Sequence, residues 1–347
     1  MKILVTGGTG QVGFELQRSL CLLGTVLAPS RQELDLANPK AVDHWLDQHR
    51  PDLIVNAAAY TAVDKAEEEP ELARRLNAEL PAQLAEYSAE RGQWLVHYSS
   101  DYVYPGSGDT PWQESDATGP LSVYGQTKLE GDKAVQASGG ESLIFRTSWV
   151  YSARGHNFMK TMLRLGRERE ALKVVSDQIG APTPARLIAQ VTAQALHALP
   201  LTSEALTSAK RAHKPAGRSP ARSALYHLAP SGETSWHGFA REIFRQATAM
   251  GESLAITPDG VAEIPTAEYP TPAQRPLNSR LDCQALEKAL GITLPSWQEQ
   301  LALTLREELG VRRESVEFSE ALTSPKSAYA SQAKRSPSIQ PDISHER

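Results

Sequence analysis

The chain opens with a run that leaves few folds available to it. Lys2-Ile3-Leu4-Val5-Thr6 is apolar and of strand length, and it passes directly into Gly7-Gly8-Thr9-Gly10-Gln11-Val12-Gly13. Val12, Leu16, Leu20 and Leu23 then recur at helical spacing. Strand, tight glycine turn and helix in immediate succession are the setting in which Gly-x-x-Gly-x-x-Gly cradles a dinucleotide pyrophosphate. Gly7 allows the turn, Gly10 lets the backbone approach the phosphates, and Gly13 lets helix and strand pack closely. The helix N-terminus at Gln11 and Val12 offers unpaired N–H groups and a positive dipole end to the anion.

The rest of the first half repeats this alternation. Strand-like runs occur at Asp52–Asn56, Gln93–Ser99 and Ser142–Thr147, with amphipathic helices expected at Val42–His49 and Glu71–Glu90. In the second of these, Leu72, Leu76, Leu80, Leu84 and Tyr87 share one face. Alternating strands and helices predict an α/β fold, a doubly wound parallel sheet of the Rossmann type. Ligands bind outside the strand C-termini of such sheets. That places the glycine loop, Ala57-Ala58-Ala59-Tyr60 and Ser99-Ser100-Asp101 along one edge. Ala57 to Ala59 suit close approach of an adenine or ribose, or plain packing. After the second strand Ser30 and Arg31 stand where an acid would accept a ribose 2′-hydroxyl. Arg31 there suits a 2′-phosphate, so NADPH is expected over NADH, with a solvated surface arginine as the alternative.

After Tyr151 the alternation weakens. Strand-like Leu172–Val175 and Ala224–Ala229 mix with helices at Leu187–Leu199, Ser235–Met250 and Pro295–Leu309. We expect a dinucleotide-binding domain over 1–150. A smaller, interleaved C-terminal substrate lobe covers 151–310, with some elements returning to the first domain. Ser203–Ser223, rich in Ser, Lys, Arg and Pro, is expected to be a mobile loop, and 311–347 a disordered tail. The formal charge of −5 argues against a nucleic-acid partner, and no apolar run has membrane-spanning length. The first strand begins at once, so no leader is expected. Cys21 and Cys283 fit a reduced cytoplasmic protein, and Cys21 is expected to pack in the core.

Tyr124 and Lys128, four apart, share a helix face behind Pro120, with Ser122 as its cap and Leu129 and Val135 on its inner side. A phenol of ordinary pKa about 10 is a poor acid–base group near neutrality. A nearby ammonium favours the phenolate and brings the pKa toward working range, while Lys128 also suits the nicotinamide ribose. Ser100 is placed to hydrogen-bond a substrate oxygen near Tyr124. By itself Tyr-x-x-x-Lys is weak; after a serine-bearing strand, in a chain that opens with a complete glycine loop, it is strong.

These residues resemble the extended short-chain dehydrogenase/reductases and, more narrowly, the dTDP-4-dehydrorhamnose reductases. The resemblance covers about 1–305 and rests on seven blocks: Gly7–Gly13, Asn56–Glu67, His97–Tyr104, Pro120–Lys128, Arg146–Tyr151, Asp177–Thr183 and Arg275–Ser279. It implies hydride delivery to C4 of a nucleotide-linked 4-keto sugar, with Tyr124 donating the proton beside Lys128 and Ser100. The family usually has Thr where Ser100 stands; a hydroxyl remains, with looser positioning from the missing methyl. Asp35 and Leu36 join the cofactor side. Thr61, Val63, Asp101, Tyr102, Trp149 and Arg275 fall where relatives line the sugar-nucleotide pocket. Arg275 suits a diphosphate or a simple turn with Pro276, and Trp149 suits a sugar, a base or the core.

Some relatives place magnesium between subunits using acids, one of them on the first helix. Glu15 is present, but Arg186 stands where another acid is expected, so no metal is assigned and Glu15 is read as a solvated residue. A homodimer stays an open expectation. The alternatives are a reductase or epimerase on another nucleotide 4-keto sugar, and a non-catalytic regulatory subunit; an intact Ser100, Tyr124 and Lys128 argues against the latter.

Overall fold

A computed structural model describes residues 1–198 and 223–310. The first half builds β1 (Lys2–Thr6), α1 (Gln11–Leu20), β2 (Thr25–Leu27), α2 (Pro39–His49), β3 (Leu53–Asn56), α3 (Val63–Ala66) and α4 (Pro70–Arg74). It continues with α5 (Leu80–Arg91), β4 (Trp94–Ser100), α6 (Val123–Ala137) and β5 (Glu141–Thr147). With β10 (Ser223–His227), these strands form a six-stranded sheet in the order β10-β5-β4-β3-β1-β2, parallel throughout. The near-continuous apolar strands follow from cover on both faces. One face packs Ile3, Val5 and Phe145 under α1 and α8 (Ala185–Ala198). The other packs Leu4, Ile54 and Ile144 under α2 and α5. The chain turns to opposite sides of β1 after β2, so the switch point lies between β1 and β3, where the doubly wound rule puts a ligand.

A second apolar core lies in the later half of the chain. It gathers Met159, Phe239, Ile243, Phe244, Trp297 and Leu301 between α7 (Phe158–Glu168), α9 (Trp236–Ala249) and α11 (Trp297–Glu308). The pair β7 (Leu172–Val175) and β12 (Val261–Ile264) flanks it. α11 opens with a reciprocal capping box between Ser296 and Glu299. The short strands β6 (Val150–Tyr151), β8 (Ile179–Gly180), β9 (Thr183–Pro184), β11 (Thr234–Ser235) and β13 (Asn278–Ser279), with helix α10 (Gln284–Leu290), complete the element order.

Three expectations are corrected. The helix expected over Glu71–Glu90 is interrupted by a π-turn at Arg75–Glu79. The wider turn rotates the segments against each other, so Leu72 is exposed while Leu80, Leu84 and Tyr87 are buried. α1 stops at Leu20, and Cys21, one position beyond the buried stripe, is exposed rather than packed in the core. The strand expected at Ala224–Ala229 begins at Ser223 and joins the main sheet beside β5. Apart from Ser223, the expected loop over 203–223 and the expected tail over 311–347 lie outside the described residues. Among the described residues no helix is long and apolar enough to cross a membrane.

Candidate active site

The glycine loop is shaped by contact. Gly7 has φ +66°, and a Cβ on it would meet the backbone of Ala57 and Ala58 at 2.9 Å. One on Gly13 would overlap the Gly7 carbonyl, so helix α1 presses directly on the turn. Gly10 caps α1 without a side-chain hydrogen bond, and the first turn carries no acid. Its leading amides are therefore unclaimed and fit an anionic pyrophosphate. Gln11 at the rim is tied down by Asn157, whose Nδ2 donates to Gln11 Oε1 at 2.9 Å. Arg154 of the same loop lies 3.5 Å over the Phe14 ring. Nothing in the sequence pattern points to this second loop over the cradle.

Around the cradle, Ala57 to Tyr60 run along the end of β3. Tyr60 is fastened there by Asn77: Tyr60 N donates to Asn77 Oδ1 at 2.8 Å, and Asn77 Nδ2 reaches Tyr60 O at 3.1 Å and Thr127 Oγ1 at 3.2 Å. Asn77 is fully buried in the π-turn, so that irregularity joins the Ala57–Tyr60 edge to α6. Ser30 and Arg31 follow β2. Ser30 N donates to the Glu33 carboxylate at 2.7 Å, a bond that draws the Glu33 pKa down. Asp35 is exposed, and its carboxylate accepts from Ala37 N at 3.1 Å; half-buried Leu36 packs on the α2 core.

The chemical residues meet where β4 ends and α6 begins. Ser122 caps α6, accepting from Gly125 N at 3.2 Å, with Leu129 and Val135 buried as the periodicity predicts. Glu67 adds a second cap, accepting from Val123 N at 2.9 Å. Ser100 Oγ donates to Asp101 Oδ1 at 2.9 Å and accepts from Tyr102 N at 3.2 Å. Its single proton is thus committed to Asp101, and the Tyr124 phenol, also bonded to Ser100, must be the donor in that pair. Burial pushes the phenol up to about 12. That corrects the expectation that the ammonium brings it down. Lys128, itself buried, donates from Nζ to the Tyr98 carbonyl, and burial lowers its pKa to about 8 against the pull of Asp132. Asp101 is raised to about 6 by burial, against bonds from Ser279 and Ser100.

Behind Lys128 runs a buried polar chain that the sequence hints at only through the position of Asp132, one helical turn on. Thr6 Oγ1 donates to Asn56 Oδ1 at 2.6 Å, so Asn56 Nδ2 is left to donate to His97 Nδ1 at 3.2 Å. Neutral His97 then carries its proton on Nε2, 3.9 Å from Asp132 Oδ1. Asp132 accepts from Arg146 Nε at 3.0 Å, and Arg146 Nη1 bonds the Tyr104 hydroxyl at 2.7 Å. Burial holds His97 well below the usual imidazole range and raises Asp132, with Arg146 opposing the latter.

The expected sugar-nucleotide residues fall into two groups and one tryptophan apart from both. Asp101 and Tyr102 join the Ser100–Tyr124 cluster; the Tyr102 and Tyr124 rings meet edge-on at 5.3 Å. Thr61 precedes α3 and Val63 opens it, and Arg275 pairs with Asp64 there at 2.6 Å. Trp149 has φ +48°, a left-handed backbone rare for so large a residue, and its ring stacks on Trp236 at 3.8 Å. Glu15 is corrected: it is buried on α1 and accepts from Arg186 Nε and Nη2, both at 3.1 Å, while Arg186 Nη2 also reaches Glu307. A guanidinium already fills the space between these acids. No cluster of three or more metal-ligating side chains occurs among the described residues.

The family model described as RmlD substrate binding domain matches residues 1–309. A dTDP-4-dehydrorhamnose reductase of Salmonella typhimurium is 48% identical over 317 residues, covering 90% of this chain and 96% of that protein. The crystal structure of a dTDP-4-dehydrorhamnose reductase from Clostridium acetobutylicum superposes with a TM-score of 0.76 at 35% identity, over 88% of this chain and 99% of that one. One from Bacillus anthracis, solved in complex with NADP, gives 0.74 at 31% identity over the same shares. By its glycine cradle, its Ser100–Tyr124–Lys128 cluster and its similarity over nearly the whole described length, the chain belongs to the dTDP-4-dehydrorhamnose reductase family.

Proposed function

We propose that this chain reduces the C4 keto group of dTDP-4-dehydro-L-rhamnose to give dTDP-L-rhamnose, using NADPH. The observation that carries the reading is the bond between Ser100 and the Tyr124 phenol where β4 ends, with Lys128 one helical turn on, in a sheet that also carries an uncapped, acid-free glycine cradle. A reduced nicotinamide, when bound, supplies the hydride. The protein's share is the proton and its placement. Burial keeps Tyr124 a neutral phenol at working pH, the form a proton donor needs. Ser100, its own proton held by Asp101, aligns the phenol and then gives way to the substrate oxygen. Lys128, one helical turn from Tyr124, would supply positive charge as the phenol gives up its proton and would hold the nicotinamide ribose. NADPH over NADH follows from Ser30 and Arg31 after β2 and agrees with the NADP complex of the Bacillus anthracis relative.

We read residues 1–150 as the cofactor-binding domain and 151–310 as mainly the substrate lobe, with α8 and β10 returning to the first. Unpaired Cys21 and Cys283 suit the reducing cytoplasm. The test follows nicotinamide absorbance with enzymatically prepared dTDP-4-dehydro-L-rhamnose. The wild type is expected to turn over, and Tyr124→Phe to lose about 10²- to 10⁴-fold in kcat while still binding NADPH. A folded, cofactor-binding wild type inert toward this sugar would redirect the assignment to another nucleotide 4-keto sugar or to a regulatory role.

A further inference from the structure

Arg275 sits in a loop with three prolines, Pro270, Pro272 and Pro276, and that loop is fastened at both ends. On one side Asp64, in the first turn of α3, takes both attachments. Its Oδ2 accepts from Arg275 Nη2 at 2.6 Å, and its Oδ1 accepts from Ala273 N at 3.2 Å. On the other side Leu277 N and Asn278 N donate to the Gly106 carbonyl at 3.1 and 2.9 Å. Gly106, at φ +65°, lies directly under Pro276, where a Cβ would not fit.

This clasp orients a planar guanidinium. One amino group is spent on Asp64. The other, Nη1, is buried without a well-formed hydrogen bond, and the nearest acceptor recorded for the guanidinium besides Asp64 is the neutral Tyr102 hydroxyl. A buried cationic donor without an acceptor is costly, and such groups in native structures call for a missing partner. Arg275 also lies against Tyr102, where its charge opposes the effect of burial on that phenol. Tyr102 in turn packs edge-on against Tyr124. The donor therefore stands one aromatic ring from the reacting phenol, beside the start of α3. A guanidinium held this way suits the oxygens of a diphosphate.

We propose that Asp64 is a positioning residue that holds Arg275 as the seat for the diphosphate of the sugar nucleotide. The proposal rests on the substrate class given above. Asp64 touches no reacting atom; it fixes the guanidinium plane and closes the loop behind it. Its side chain is 42% exposed, so an isosteric change leaves no buried void.

The test is calorimetric binding of dTDP, of thymidine and of NADPH to the full chain, with steady-state kinetics alongside. Asp64→Asn is expected to weaken dTDP about tenfold, the scale of one charge-assisted hydrogen bond. Thymidine and NADPH binding should stay unchanged, with KM for the keto sugar raised and kcat within about twofold, since the chemistry itself is untouched. Asp64→Glu, which keeps the carboxylate, should recover part of the dTDP affinity. Unchanged or tighter dTDP binding by Asp64→Asn would overturn the proposal, and so would an equal loss for thymidine. A wild type that discriminates dTDP from thymidine but reduces no keto sugar would refute the reaction while leaving the diphosphate seat standing.

Discussion

Asp101 and Lys128 are buried and Tyr124 half-buried, and desolvation moves each in a direction its charge type dictates: carboxyl and phenol up, ammonium down. Asp101 near 6 and Lys128 near 8 bracket the neutral range, with Tyr124 near 12 above it. Between the two lower values Asp101 is ionised, Lys128 is charged and Tyr124 holds its proton. Below about 6 Asp101 takes up a proton and Ser100 loses its anionic acceptor. Above about 8 Lys128 loses its charge. The rate of keto-sugar reduction should therefore fall on both sides, and a profile of kcat/KM against pH checks it. Asp101→Asn should flatten the acid limb and leave the alkaline one. The residues of this cluster are legible in the sequence, because Tyr-x-x-x-Lys and the glycine loop are local patterns. The sign of the Tyr124 shift is not, since desolvation depends on how α6 packs, and spacing along a helix does not report that.

Helix α6 carries its chemistry on one turn and its anchorage on the next. Asp132, fully buried, accepts a hydrogen bond from Arg146 and faces His97 across 3.9 Å. Asp132→Asn would leave the Arg146 guanidinium charged and uncompensated in the interior. We expect a loss of about 3–5 kcal/mol, typical of breaking a buried pair from one side. Thermal or urea unfolding measures it, and replacing both residues with apolar side chains of similar volume should recover much of the loss. The same helix shows what element-level reading can and cannot reach. Its cap at Ser122 and its inner face at Leu129 and Val135 are periodic and local. The π-turn at Arg75–Glu79 is not: Leu72, Leu76 and Leu80 keep helical spacing through it, and only tertiary bonds from Asn77 to Tyr60 and Thr127 explain the widened turn. Asp64 and Arg275 are likewise visible in the sequence only as separate motifs, because their pairing spans 211 residues.

Across the described residues, the first helix and the last are joined by charge. Glu15 on α1, Arg186 on α8 and Glu307 on α11 form one cluster, with Arg18 at its edge. Arg186 is partly exposed, so screening limits the contribution, and Arg186→Ala is expected to cost about 1 kcal/mol, readable as a small drop in Tm. The alternation of strands and helices makes the doubly wound sheet legible, but it cannot tell which late segment closes the edge. Strand β10 does so, arriving after a long excursion through α7, the short strands and α8. That order has a consequence in time. At about 5–20 residues per second of synthesis, β5 leaves the ribosome several seconds before its neighbour exists. For that interval the nascent chain shows a bare, apolar strand edge, Leu143-Ile144-Phe145, to whatever is nearby. The step most exposed to misassembly is thus the wait between β5 and β10, and a chaperone that shields one strand edge would act there.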